Sequence, residues 1–228
     1  MPLTPEHVQL FRHNGFIKLP TRLSGETVSQ LKDAIWKDIH EEIEPVVRDS
    51  TGRIVRISNI WTRDPIFRDV LVSPAVLDPL ECVLGPNIEL TKNRHNHATL
   101  RLAGETSAAS VSLHRDVLQW SRTILSVIFY LEETTLENGC THVVPGTHLL
   151  SSPPKTSAIL DQIIPVPMPA GGMLAIDSTL YHGVGINRTD GTRMSMTVGY
   201  HSVDEFSGGD QPKRVLVRGE RLYMGNDG

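Results

Sequence analysis

LGPNIELTKNRHNHATLRL, residues 84–102, decides the fold, because the chain changes character inside it. Upstream of Leu84-Gly85 apolar residues recur at helical spacing. From Asn87 onward they come in short runs bounded by Gly, Pro or Asn, the pattern of strands and turns. Working back from that junction, Ser73-Pro74 and Asp64-Pro65 each read as an N-cap followed by proline at the first helical position, where its missing N–H costs nothing. Two short helices are predicted there, the second closing at Leu84-Gly85. Ser24 caps a longer helix whose Val28, Leu31, Ile35, Ile39 and Ile43 form one stripe, ended by Pro45. Thr4-Pro5 opens another, which stops at Asn14-Gly15 ahead of a strand, Phe16 to Leu19.

Working forward, strands are predicted over Ile88 to Leu102, Val111 to Asp116, Thr123 to Leu131, Thr141 to Val144, Met173 to Asp177, Met194 to Ser202 and Arg214 to Val217. Ser151 to Gly172, with five prolines, reads as a mostly irregular connection long enough to be functional. Helices first and strands after predict an α+β, mainly β domain, a sandwich or barrel with a helical buttress. One domain is expected, with the buttress over about residues 1–86 and the barrel over about 87–220.

The composition excludes several classes of function. The 228 residues are 39% hydrophobic and 21% charged with a net charge of −4, so nothing marks a nucleic-acid or anionic-membrane surface. Cys82 and Cys140 lie outside any CxxC pair, the N-terminus lacks a signal peptide's apolar core, and no apolar run nears the ~18 residues of a membrane span. A cytoplasmic protein acting on a small molecule is expected, with neither nucleic acid nor membrane as partner.

The chemistry lies in a split constellation: His114-Arg115-Asp116, then His182, then Arg193 eleven residues later. Two imidazoles and one carboxylate hold non-haem Fe(II) on one face and leave the other open. The HxD triplet alone is weak, since 10 His and 13 Asp in 228 residues supply about 0.6 by chance. Context strengthens it. On a strand, residues i and i+2 share a face, so His114 and Asp116 point together and Arg115 points away. His182 follows a predicted strand end, where a ligand projects into a cavity, although a single histidine there is more often a hydrogen-bonded structural residue. An arginine beyond it suits the carboxylate of a co-substrate. His95 and His97 form an HxH pair, as in cupin metal sites, but Arg101 and Leu102 stand where a cupin places glutamate. The pair therefore reads as structural or substrate-facing. His40-Glu41-Glu42 reads as a solvated helix end, and His142 and His148 as turn or second-layer residues. No glycine-rich loop joins a strand to a helix, which argues against a Rossmann or phosphate-binding site.

Five collinear segments resemble the phytanoyl-CoA dioxygenase family of Fe(II)/2-oxoglutarate oxygenases: LTPEHVQLFRHNGFIKLPTRLSGETVSQLKDAI, SPAVLDPLECVLGPNIEL, LHRDVLQW, FYLEETTLENGCTHVVPGTH and GGMLAIDSTLYHGVGINRTDGTR. They span Leu3 to Tyr200. The resemblance implies a double-stranded β-helix, a jelly-roll-like barrel. It implies iron on His114, Asp116 and His182, and a 2-oxoglutarate carboxylate on Arg193. Features similar to the ectoine hydroxylase branch add Asn96 and Trp120 as candidates for the co-substrate site, and Thr141 for a hydroxyl on the co-substrate. For these three, ordinary packing is the competing reading. One departure is Val184, where some relatives carry serine two residues past the distal histidine.

The implied reaction consumes O2 and 2-oxoglutarate, releases succinate and CO2, and oxidises a C–H bond of a bound substrate. A carboxylate at position 116, where related halogenases carry glycine or alanine, favours hydroxylation. Lys92, Arg94, Arg115 and Arg122 give a basic neighbourhood suited to an anionic small molecule, or else a solvated surface. The short chain suits a small metabolite or natural-product intermediate. Two rival readings stand beside this one: a barrel that binds a metabolite without turning it over, and a cupin-type metalloenzyme using His95 and His97.

Overall fold

The computed structural model describes residues 1–92, 95–103, 113–117, 124–152, 159–203 and 213–222. Among the described residues, four α-helices form where the caps predict them. α1 (Pro5–Asn14) starts at Thr4, whose hydroxyl accepts from the His7 N–H, and ends at Gly15 with φ 81°. α2 (Gly25–His40) starts at Ser24. It stops five residues short of Pro45, so Ile43 falls off the predicted stripe and is 38% exposed. α3 (Pro65–Leu71) and α4 (Pro74–Leu84) follow, with prolines in their first turns.

Among the described residues, twelve strands make two sheets. β1 (Phe16–Lys18), β2 (Val46–Arg48) and β3 (Ile54–Ser58) come from the segment expected to be a helical buttress. All three join the main sheet, so the first 86 residues supply strands of the barrel wall as well as the helices packed on it. β4 (Ile88–Thr91) and β5 (Asn96–Arg101) replace the single strand predicted over Ile88 to Leu102. They lie end to end along β11 (Arg193–Ser202), whose first half pairs with β5 and whose last residues pair with β4. The break falls at His95, which has φ 46°. β6 (Ile124–Tyr130), β7 (Thr141–Val143), β9 (Met173–Asp177) and β12 (Arg214–Arg218) match four further expectations. The strand predicted over Val111 to Asp116 is, within described residues 113–117, only an isolated bridge at His114. β8 (Ile164–Val166), inside the stretch expected to be irregular, and β10 (His182–Val184) were not anticipated.

The large sheet runs β1-β9-β6-β11-β5-β3-β2, with β4 and β12 attached to β11's far end; the small sheet runs β10-β7-β8. Alternation assigns the two faces of the large sheet. Ile57, Ala98, Leu100, Leu125, Val127, Met194, Met196 and Val198 pack against helix residues such as Leu31, Ile35, Phe67 and Leu80. The opposite face meets the small sheet through Ile128, Tyr130, Leu174 and Ile176 against Val143 and Val166. Both cysteines are free thiols, and among the described residues no helix is long and apolar enough to cross a membrane.

The buttress is tied to the wall by a buried ion pair. Arg63 lies 2.9 Å from Asp38 of α2 and also donates to the carbonyls of Ser58, Ile43 and Pro45. Asp38→Ala leaves that guanidinium buried without its anion and is expected to cost about 3–5 kcal/mol of unfolding free energy. Urea titration against the wild type measures it.

Candidate metal centre

His114, Asp116 and His182 come together between the two sheets, with one ligand atom from each inside 4.8 Å of the others. The backbone sets this up. His114 and His182 are directly opposed in an isolated antiparallel bridge, exchanging N–H···O=C bonds of 2.7 and 2.9 Å. Their rings sit 4.6 Å apart. His182 also opens β10 and pairs with Val143 of β7, so the small sheet carries the distal histidine on a fixed rung.

Each ligand is held from behind. The His182 Nδ1–H donates to the Leu180 carbonyl at 2.9 Å, which leaves Nε2 as the lone pair facing Asp116. Burial pushes the His182 pKa down, against the raising effect of Asp116, so the neutral ligand form is favoured. Asp116 divides its two oxygens. Oδ2 accepts a 2.7 Å hydrogen bond from Ser126, which in turn lies 3.1 Å from Ser178. Oδ1 faces Nε2 of His114 at 3.7 Å and of His182 at 3.8 Å. Burial alone would raise this carboxyl, but His182, His95, the Ser126 hydroxyl and His114 together hold it below its ordinary value. A single free carboxylate oxygen and two imidazoles on one side are the donor set of an open-faced non-haem iron site, so the residues present fit the metal. The His114 side chain is 55% exposed against 7% for His182, which puts the mouth on the His114 side.

Ser126 is a residue the sequence reading missed. Ser126→Ala is expected to lower Fe(II) affinity about 10- to 100-fold with little change in fold, as loss of a partner behind a ligand does. Anaerobic calorimetric titration measures this. An unchanged affinity would assign the hydroxyl to packing alone.

The remaining candidates divide. Arg193 is buried at the start of β11, close enough to Tyr130 for its charge to act on the phenol. Tyr130, also missed, shares a 2.6 Å hydrogen bond with Thr141, and burial raises its pKa despite that bond and Arg193. Arg193, Tyr130 and Thr141 thus form one buried polar cluster. It is braced by Glu132, which takes Lys32 of α2 on one oxygen and the Met194 N–H on the other, both at 2.9 Å. Gly139 and Gly185 allow the NGCT turn to lie on β10, since a Cβ at Gly139 would stand 2.2 Å from the Gly185 carbonyl oxygen.

Asn96 does not join this cluster. It lies on the helix-facing side of β5, where its amide accepts from the Trp61 N–H and donates to the Lys92 carbonyl. Arg115 is turned away as alternation predicted, donating to the carbonyls of Thr147 and Leu150. It therefore does not belong to the basic mouth. Lys92 follows β4, half-buried, and Trp120, Arg94 and Arg122 lie outside the described residues.

His95 approaches the centre: its Nε2 is 3.8 Å from Asp116 Oδ1, and its ring centroid is 6.3 Å from that of His97. Neither belongs to the three-residue ligand cluster. Burial, then the nearby Arg56 charge, pushes His97 down to about 4. Because the unfolded chain binds that proton with a pKa near 6.5, stability falls as pH drops from about 6.5 to about 4 and is flat above. His97→Gln removes this dependence. Between pH 7 and 4.5 the variant is expected to lose about 2–3 kcal/mol less than the wild type in chemical denaturation.

The chain is 27% identical over 222 residues to the dioxygenase af480 of Aspergillus fumigatus, which covers 89% of this chain and 68% of that protein. The crystal structure of EvdMO1 superposes with a TM-score of 0.71 at 25% identity over 86% of this chain, which spans only about half, 49%, of that longer one. EctD from S. alaskensis with 2-oxoglutarate and 5-hydroxyectoine superposes with a TM-score of 0.76 at 19% identity, covering 89% of this chain and 77% of that one. The shared fold is the jelly-roll barrel implied by the sequence resemblance. Residues 11–195 match the phytanoyl-CoA dioxygenase (PhyH) profile, and the chain belongs to that family of oxygenase enzymes.

Proposed function

We propose that this protein is an Fe(II)- and 2-oxoglutarate-dependent dioxygenase that hydroxylates an unactivated C–H bond of a small metabolite or natural-product intermediate in the cytoplasm. The observation that carries the reading is the convergence of His114, Asp116 and His182 on one face, with Asp116 Oδ1 free and Oδ2 held by Ser126. The bound iron would supply O2 activation coupled to decarboxylation of 2-oxoglutarate: one oxygen atom enters the substrate C–H as hydroxyl, the other enters succinate, and CO2 leaves.

The chain's own residues arrange the reactants. His114, Asp116 and His182 would hold the metal. Arg193 takes the far carboxylate of 2-oxoglutarate by charge-assisted hydrogen bonds, about twice as strong as neutral ones, with the Tyr130–Thr141 hydroxyl pair beside it. Ile128, Leu174 and Ile176 form an apolar wall that excludes water. The open mouth at His114 admits substrate after the co-substrate is seated.

The test is anaerobic titration of the protein with Fe(II) and then 2-oxoglutarate, followed by visible absorption and calorimetry, and then by succinate release on admitting O2. A co-substrate complex with one site per chain and succinate release are expected. Metal binding without 2-oxoglutarate binding would overturn the assignment in favour of a barrel that only binds its metabolite.

A further inference from the structure

A cation stands on the barrel's inner face with no counter-ion among the described residues. Arg56 is in the middle of β3, paired opposite Thr99 of β5, while its neighbour Ile57 pairs with Ala98 on the helix-facing side. Ile57 and Ala98 are fully buried in the helix-side core, so Arg56 and Ser58 project from the other face, beside Thr99 and His97. That is the face of the metal centre. His97 sits opposite both Ser58 and Thr197, Thr197 opposite Ile128, and Ser126, two residues along β6, holds Asp116.

The guanidinium makes no hydrogen bond or ion pair with the described residues, and its Nε is sealed from solvent with no partner. The inner-face positions of β3 and β5 around it are Ser58, His97, Thr99 and Arg101, none of them acidic. His97, kept neutral by burial and by this same charge, does not supply an anion. A permanently charged arginine in a half-buried setting is costly unless something pairs with it. Elsewhere in this chain buried guanidinium groups are engaged: Arg63 by Asp38 and three carbonyls, Arg115 by two carbonyls.

We propose that Arg56 anchors a carboxylate of the substrate, which then lies across His97 and His95 toward Asp116. This rests on the oxygenase reading for its direction and adds to it the chemical class of the substrate. A carboxylate fits better than a phosphate, because one planar fork matches two coplanar oxygens and one unit of charge. Three strand spacings of about 4.8 Å separate β6 from β3, roughly 14 Å, and the arginine side chain reaches back over part of that. A compact acid, with the oxidised carbon several bonds from its carboxylate, spans the gap.

The test uses full-length protein loaded anaerobically with Mn(II) and 2-oxoglutarate, so that the co-substrate site is filled. Aliphatic and aromatic carboxylic acids, their primary amides and matched phosphate monoesters are then screened by ligand-observed NMR. The wild type is expected to bind the preferred acids about 10- to 100-fold more tightly than their amides. Arg56→Gln should abolish that preference and Arg56→Lys should retain part of it, with 2-oxoglutarate affinity within twofold in both. Three results overturn the proposal: no acid-over-amide preference in the wild type, a preference that survives Arg56→Gln, or a preference for phosphate monoesters. A tenfold loss of 2-oxoglutarate affinity in Arg56→Gln also overturns it, by placing Arg56 in the co-substrate site. The wild-type comparison of acid with amide needs no variant and stands even if Arg56→Gln fails to fold. Failure of the wild type to bind Mn(II) and 2-oxoglutarate is read in the preceding titration and counts against the oxygenase reading instead.

Discussion

Asp116→Ala is expected to bring 2-oxoglutarate-driven succinate release down by at least about a thousandfold, equivalent to about 4 kcal/mol. Two imidazoles would remain, 4.6 Å apart between ring centroids, without the anion that both of them face. The carboxylate contributes the only negative charge of the donor set, so Fe(II) affinity should fall with activity. Asp116→Asn keeps the shape and the contact with Ser126 while removing the charge, and separates the two effects. If charge decides, asparagine behaves like alanine; if the Ser126 contact decides, asparagine retains metal and Ser126→Ala is the more damaging change. Metal content by elemental analysis and succinate by chromatography measure both. An Asp116→Ala protein that keeps a tenth of wild-type turnover would show that another donor replaces the carboxylate. His95, 3.8 Å from Asp116 Oδ1, is then the residue to remove next.

This centre was legible in the sequence because its determinants are local or periodic. The alternation expected of an extended segment puts His114 and Asp116 on one side and Arg115 on the other. The segment is held only by an isolated bridge at His114, yet Arg115 is tied away from the centre to the carbonyls of Thr147 and Leu150. The helix starts were legible for the same reason: a capping hydroxyl or carboxylate followed by proline or an acidic first turn acts within four residues. What escaped depends on partners distant in sequence. β10 is three residues, HGV, and exists because β7 and the His114 segment flank it. Ser126 reads as one small residue in an apolar strand, and only the fold brings Asp116 onto it. Asn96 sits one position out of phase with His95 and His97, and alternation places it on the helix side of β5.

Arg56 was missed for a different reason, since its strand did carry a signal. VVRDSTGRIVRIS, residues 46–58, has β-branched runs on both sides of an Asp-Ser-Thr-Gly turn. Asp49 closes that turn by accepting from the Thr51 and Arg53 N–H groups. The pattern is a hairpin in a segment dominated by helices, and reading Pro45 only as a helix stop hid it. Likewise the continuous reading of Ile88 to Leu102 was nearly right. Both halves follow β11, and the departure at His95 brings that imidazole to the metal centre.

Arg193→Gln is expected to weaken 2-oxoglutarate about 100-fold or more while Fe(II) affinity stays within about threefold. Removing one partner of a buried charge pair costs about 2–5 kcal/mol, mostly because the other charge is left without its counterpart. On the proposed reading the abandoned charge would be the co-substrate carboxylate, beside Tyr130 and Thr141, which offer neutral hydroxyls in place of a cation. The effect can be read without turnover. In the wild type, 2-oxoglutarate at 100 times its dissociation constant stabilises the fold by about 2.7 kcal/mol, and after a hundredfold weakening the same concentration gives about 0.4 kcal/mol. For a chain of this size that is a rise in melting temperature of roughly 5–10 °C reduced to about 1 °C. Arg193→Lys keeps the charge and loses the fork, so an intermediate shift is expected. Tyr130→Phe and Thr141→Ala each remove one neutral hydrogen bond and should weaken binding only about 3- to 10-fold. The order glutamine, lysine, then the hydroxyl variants distinguishes a carboxylate held by charge from one held by general polarity. If the two hydroxyl variants are as damaging as Arg193→Gln, the far carboxylate is bound at the Tyr130–Thr141 pair and Arg193 acts through them.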